Sequence, residues 1–282
     1  MHHLKQVITQ KSFKLQGYAD DTSLLYKAET KNEFEEKFKR DFDLLTLWFK
    51  KHRLHLNIKK CKFIAYGYKT PLWADSINLS LGIEKLERVL AMKYFGIIMD
   101  EKLTWREQSL YIQGKMRGIN YIFYHLKKYI NQNHLKKLYQ PLYESNLNYG
   151  IIHWGGSAHI KPIKVLQNKV CRSIMNLDPR TSETEIYKRM GKFGWKFEDL
   201  YTLRSALFVF KNKSEFQIGK HEQNIHTRSH NSMLSVSPQW NKAHSRIQLR
   251  YKGTKIFNSL PPNIRNENRI STYKNNIKSL LM

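Results

Sequence analysis

The run FKLQGYADDTSLLY, from Phe13 to Tyr26, leaves a chain few choices. Two short apolar segments flank a pair of adjacent acids, and a strand passing straight through Asp-Asp would turn one carboxylate toward its apolar side. A β-hairpin satisfies both halves, with Phe13, Leu15, Leu24, Leu25 and Tyr26 as the expected buried positions. Neighbours on a regular strand face opposite ways, so only a hairpin tip presents Asp20 and Asp21 together. Two carboxylates on a tight turn are the hard oxygen donors that magnesium prefers. Tyr18-Ala19-Asp20-Asp21 also reads as a plain polar turn, because Asp is common in turns for its own backbone hydrogen bonding.

The hairpin needs partners for its apolar face. From Thr30 to Arg53, Phe34, Phe38, Phe42, Leu45, Trp48 and Phe49 recur at three- and four-residue steps, which predicts an amphipathic helix. The stretches LHLNIKKCKFIAYG and SINLSLGIEKLERVLAMKYFGIIMD alternate apolar and turn residues and predict four or five short strands. The helix would cover one face of that sheet. After Trp105 the pattern turns helical over residues 111–130, 135–152 and 160–177, and again from Lys196 to Lys213. Residues 215–250 are polar and unperiodic and read as a long loop, and a short helix closes the chain. The expected class is α+β, divided at residues 1–106, 107–180 and 181–282.

Charge narrows the partners. Lys and Arg number 49 against 23 Asp and Glu, a formal net charge of +26. That excess points to a polyanion, with nucleic acid the first candidate. On the predicted basic helices, Lys115, Arg117, Lys127 and Lys128 stand among Tyr121, Tyr124, Tyr129 and Tyr139. The tyrosines read either as core residues at helical spacing or as base-stacking rings.

Cys61 and Cys171 are far apart and suggest neither a disulfide framework nor a zinc module, which fits a reducing, intracellular setting. His221, His226 and His230 have spacing loosely compatible with metal binding, but no cysteine or nearby carboxylate pair completes a site. No stretch of about 18 apolar residues occurs, so no membrane contact is expected. Phosphate-binding and hydrolase signatures are absent from the sequence, which leaves other enzyme classes unsupported.

Several segments follow one another in a telling order: Asp20-Asp21-Thr22; a helix with Trp48 near its end; Leu54-His55-Leu56-Asn57 with Lys60; Tyr94-Phe95-Gly96; then Asp100, Leu103 and Trp105. In that order they resemble the reverse transcriptases of non-LTR (LINE, jockey-type) retrotransposons. The likeness covers roughly residues 13 to 105, and more loosely the helical region and Ser259-Leu260-Pro261-Pro262. The resemblance implies a partial polymerase palm followed by a basic, thumb-like helical bundle that grips an RNA and DNA template-primer. It implies that Asp20 and Asp21 are catalytic carboxylates holding Mg2+ and that Lys60 is a general acid toward the leaving pyrophosphate. Tyr94, Phe95 and Gly96 would form a primer-gripping hairpin, with Gly96 allowing close backbone approach. Lys115, Arg117, Lys127 and Lys128 would contact phosphates. Lys60 also reads as one more cation in a basic run, and Tyr94 and Phe95 as core-strand residues.

The sequence departs from that family at its start. A complete palm brings a further Asp from an upstream strand and helix, together with residues that hold the incoming triphosphate. Only seventeen residues precede Tyr18, and Asp41, Asp43 and Asp75 occur in the wrong context to substitute. The chain reads as a C-terminal fragment starting inside a domain, inactive alone, with a possible missing upstream polymerase half as partner. An unpaired sheet edge and exposed apolar surface are expected where that half would sit. Two further readings remain: a non-catalytic nucleic-acid-binding protein, or a relic without selected function.

Overall fold

A computed structural model describes residues 13–18, 21–66, 72–81, 84–216, 234 and 249–281. The long polar segment expected over 215–250 and the histidines at 221, 226 and 230 fall almost wholly outside the described residues. The chain divides into two units, residues 1–92 with 101–103, and residues 93–100 with 104–282. Helices and short two-stranded sheets make up both, so the class is α+β.

In the first unit, β1 (Phe13–Tyr18) and β2 (Asp21–Tyr26) pair antiparallel, with Phe13 opposite Tyr26 and Leu15 opposite Leu24. Helix α1 (Lys31–Lys51) starts at Thr30, whose hydroxyl accepts the Glu33 N–H at 3.2 Å. The Glu33 carboxylate reaches back to accept the Glu29 N–H at 2.8 Å, a reciprocal arrangement that ties the chain before the cap to the first turn. The helix ends where Arg53 turns left-handed at φ 55°.

One helix serves two apolar clusters. Leu45, Trp48 and Phe49 pack on Phe13, Leu15, Leu24 and Tyr26 of the hairpin. Phe34, Phe38 and Phe42 pack on Ala74, Ile77, Leu79 and Leu86. Full burial of a side chain such as Leu45 contributes about 2 kcal/mol, so the spacing of apolar residues along α1 is what joins the hairpin to the rest of the unit. Leu25 corrects an expectation. It is 57% exposed, because Leu24 and Tyr26 already point inward and the side chain between them must point out.

The single sheet expected beside α1 is also corrected. The strands are β3 (Lys62–Phe63), β4 (Ser80–Leu81), β5 (Glu84–Lys85), β6 (Glu87–Arg88), β7 (Ala91–Tyr94) and β8 (Ile97–Asp100). Among the described residues they form separate pairs, β3 with β6, β4 with β5 and β7 with β8. The two-residue strands offer too few ladder bonds to extend a sheet, and around them Phe63, Leu79 and Leu86 share one apolar cluster with Phe34, Phe38 and Phe42 of α1.

The second unit is largely helical. Its helices are α2 (Arg106–Leu126), α3 (Gln132–Tyr139), α4 (Ser145–Asn148), α5 (Ile151–Trp154), α6 (Lys161–Met175), α7 (Glu183–Met190), α8 (Phe197–Lys211), α9 (Leu249–Ser259), α10 (Pro262–Arg265) and α11 (Ile270–Leu281). Helix α2 packs along α6, and α8 packs against α9 and α11. Met116, Phe123, Tyr139, Tyr143, Trp154, Phe197 and Tyr273 fill the interior. Gln167 is buried and donates to the Tyr139 hydroxyl and to the Trp195 carbonyl, both at 2.8 Å, so its amide is satisfied where water cannot reach.

Between α3 and α4, the segment Gln140–Glu144 widens into a π turn. Pro141 has no N–H to continue the regular ladder, which favours such an interruption. Glu144 is held inside the unit, and among the described residues its buried Oε2 has no hydrogen-bond partner. Burial raises its carboxyl to about 7 from an ordinary 4.5, opposed by the nearby Arg204 charge.

Ionising Glu144 in the folded chain therefore costs free energy that ionising it in the unfolded chain does not. Its contribution to stability is most favourable below about pH 4.5 and is lost as pH rises to about 7. Glu144→Gln should raise Tm at pH 8 by on the order of 5 °C and leave it nearly unchanged at pH 4. Thermal melts at the two pH values check this, and an equal effect at both would refute it.

Candidate active site and nucleic-acid interface

In sequence the acidic pair falls where β1 gives way to β2. Asp21 opens β2 and stands opposite Tyr18, the last residue of β1. Ala19 and Asp20 lie outside the described residues, so of the pair only the Asp21 backbone has a described place. Magnesium is commonly bound through one or two carboxylates, with water and substrate phosphates completing its shell. Among the described residues no group of three or more His, Cys, Asp or Glu could hold a metal ion. Lys60 closes the 3-10 turn Ile58–Lys60, donating its backbone N–H to the Asn57 carbonyl at 3.0 Å, and its side chain is exposed.

Tyr94, Phe95 and Gly96 form the bend of the β7–β8 hairpin. Phe95 and Gly96 both have positive φ, 45° and 78°, as a two-residue turn between right-twisted strands requires. Neither ring lies in the core: Phe95 is exposed and Tyr94 half-buried, with the rings 4.1 Å apart. The Tyr149 hydroxyl donates to the Phe95 carbonyl at 2.5 Å. A Cβ added at Gly96 would lie 3.1 Å from the Tyr149 ring, so the close approach that glycine permits here is already used within the chain.

The segment Asp100 to Trp105 is a helix-starting device. The Asp100 carboxylate accepts the Thr104 N–H at 2.9 Å, the Thr104 hydroxyl at 3.2 Å and the Trp105 N–H at 2.7 Å. Leu103 and Trp105 both adopt left-handed φ. Trp105 is buried and its carbonyl receives the Ser109 N–H, so α2 begins there. A negative charge at that end also complements the helix dipole. The buried Gln108 then accepts the Ile98 N–H at 2.8 Å and ties β8 to α2.

The four cations expected to meet phosphate are all on the surface: Lys115 and Arg117 on α2, Lys127 and Lys128 just past its end. Lys115 and Lys93 flank the Tyr111 ring at 4.9 and 5.1 Å, and hydrogen bonds from the two ammonium groups hold its phenol below the usual range. This Lys-Tyr-Lys group was not foreseen, since it joins a strand residue to a helix residue. Of the four tyrosines with two possible roles, Tyr139 is core, whereas Tyr121, Tyr124 and Tyr129 are exposed.

With that geometry in place, comparison with known proteins is informative. Over 191 residues, 65% of its length, the chain is 26% identical to the RNA-directed DNA polymerase from mobile element jockey of Drosophila funebris. It is 25% identical over the same span to the counterpart from Drosophila melanogaster. The chain is similar to jockey-type reverse transcriptases. A probable RNA-directed DNA polymerase from transposon X-element of Drosophila melanogaster is 20% identical over 195 residues. The chain spans about a fifth of the length of these relatives, 20–21%. No family model and no solved structure matches the chain. Among the described residues no helix is long and apolar enough to cross a membrane.

Part of the motif that supported the jockey resemblance therefore has a structural role, and that role can be tested. Asp100→Ala would leave two backbone N–H groups at a buried turn without an acceptor, a destabilisation of roughly 2–3 kcal/mol. Asp100→Asn keeps one accepting oxygen and should fall between. Urea unfolding of the three proteins measures this, and an unshifted midpoint in Asp100→Ala would show the turn to be held by other means.

Proposed function

We propose that this chain is the C-terminal part of a jockey-type reverse transcriptase, with a palm-like portion over residues 1–106, a thumb-like portion over 107–180 and a C-terminal helical portion over 181–282. The observation that supports the reading is the antiparallel pairing of β1 with β2, in which Tyr18 stands opposite Asp21, the second residue of the Asp20-Asp21 pair. In this reading Asp20 and Asp21 hold Mg2+. The ion, when bound, neutralises phosphate charge and lowers the barrier to nucleotidyl transfer. Lys60, exposed and downstream, donates a proton toward departing pyrophosphate. The Tyr94-Phe95-Gly96 bend lies along the primer, and Lys115, Arg117, Lys127 and Lys128 contact template-primer phosphates without reading sequence.

Three carboxylates and a triphosphate-binding segment complete such a site, and these 282 residues supply only Asp20 and Asp21 of the carboxylates. The chain assayed by itself should not extend a primer. Combined with the upstream portion of a jockey-type polymerase it should, and Asp20→Ala or Asp21→Ala should lower that activity at least about a hundredfold. Templated primer extension with magnesium decides the matter. Extension by the 282-residue chain alone would overturn the incomplete-site reading, and activity indifferent to both substitutions would overturn the metal assignment. A second reading, nucleic-acid binding without catalysis, is favoured by the exposure of the four cations. It requires binding that survives Asp20→Ala/Asp21→Ala and falls steeply with salt.

A further inference from the structure

The C-terminal end of α2 leaves large rings in solvent. Tyr121 is 66% exposed, Tyr124 54% and Tyr129 84%. His125 bridges the first two, its ring 4.2 Å from the Tyr121 ring and 5.6 Å from the Tyr124 ring, centroid to centroid, and Tyr129 follows just past the helix end. The Lys127 ammonium sits 5.0 Å over Tyr124. Exposing contiguous aromatic surface is unfavourable, and such a patch on an otherwise polar helix end signals a partner.

We propose that Tyr121, Tyr124 and Tyr129, with His125, form a stacking platform for unpaired bases of a single-stranded nucleic acid whose phosphates are held by Lys127 and Lys128. The proposal rests on the nucleic-acid-binding part of the reading above and adds the form of the ligand. Charge selects the occupant. No Asp or Glu occurs between Glu107 and Glu144, whereas Lys115, Arg117, Lys127, Lys128, Lys136 and Lys137 do. A ligand matching this stretch must offer flat π faces and regularly spaced negative charge, which a single strand does and a duplex, with its bases already stacked inside, does not. Cation–π contact from Lys127 further polarises the Tyr124 ring toward such a ligand.

The test uses the full chain and three labelled ligands of equal length: a mixed-sequence single strand, an abasic single strand of the same charge, and a duplex. Wild type should bind the normal strand more tightly than the abasic one. Each Tyr→Ala change at 121, 124 or 129 should weaken binding to the normal strand roughly tenfold while leaving the abasic strand, the duplex and the salt slope unchanged. Tyr→Phe at the same positions should restore binding, because the ring and not the hydroxyl stacks. Lys127→Ala/Lys128→Ala should weaken all three ligands and lower the salt slope. All of these positions are on the surface, and circular dichroism confirms that each variant is folded.

Equal affinity of wild type for normal and abasic strands, or Tyr→Ala losses shared equally by all three ligands, overturns the platform while leaving phosphate binding intact. Binding to none of the three overturns the nucleic-acid reading itself and the platform with it. Tyr→Ala variants that bind every ligand normally and differ only in sedimentation would assign the rings to contact between copies of the chain, which also overturns the proposal.

Discussion

Much of the second unit hangs on one carboxylate. Asp100 is nearly buried and its two oxygens take three hydrogen bonds from Thr104 and Trp105. Those bonds compensate a turn in which two bulky residues, Leu103 and Trp105, take left-handed backbone angles that cost energy on their own. The turn sets where α2 begins and in which direction its faces point. With Trp105 at its start, Ile112, Met116 and Phe123 fall on the face that packs along α6. The rings of Tyr121 and His125 then fall outside. The same device that closes a β-hairpin onto a helix thus determines which side chains reach solvent about two dozen residues later.

That chain of cause separates what could be read in the sequence from what could not. The Phe13–Tyr26 hairpin and the Thr30-capped helix were legible because each depends on local pattern: alternation in one, and a polar cap before a three-and-four repeat in the other. Leu25 was misread because a run of three apolar residues hides the alternation that a strand imposes. The single sheet failed for a different reason. Apolar alternation predicts strands but does not say which strands pair, and pieces two residues long pair only with one neighbour each.

The tyrosines of α2 were a matter of phase, and a finer reading could have found them. Successive residues on a helix turn by about 100°. On that scale Ile112, Met116 and Phe123 cluster on one stripe, Tyr121 and His125 lie opposite it, and Tyr124 lies well to one side. Aromatic residues at helical spacing were therefore two populations, and treating them as one set concealed the exposed group. Glu144 was not legible at all: its burial depends on a π turn at Pro141 and on the packing around it. Residues 107–175 contain cations in plenty, so nothing in composition marks out one acid as buried and hard to ionise.

Charge and rings also do different physical work on the surface, which bears on how the acidic hairpin can serve a basic chain. Lysines such as Lys127 and Lys128 attract any polyanion and lose their grip as salt rises. Stacked rings discriminate by the presence of free base faces and are far less sensitive to salt. Asp20 and Asp21 oppose both, since two carboxylates repel phosphate unless a cation stands between them. In the proposed polymerase reading, binding and chemistry are consequently separable in this chain. In that reading the rings and cations at and just past the end of α2 hold nucleic acid whether or not Asp20 and Asp21 hold an ion. In that reading a site short of carboxylates affects reaction and not retention, so loss of catalysis and persistence of binding are compatible outcomes.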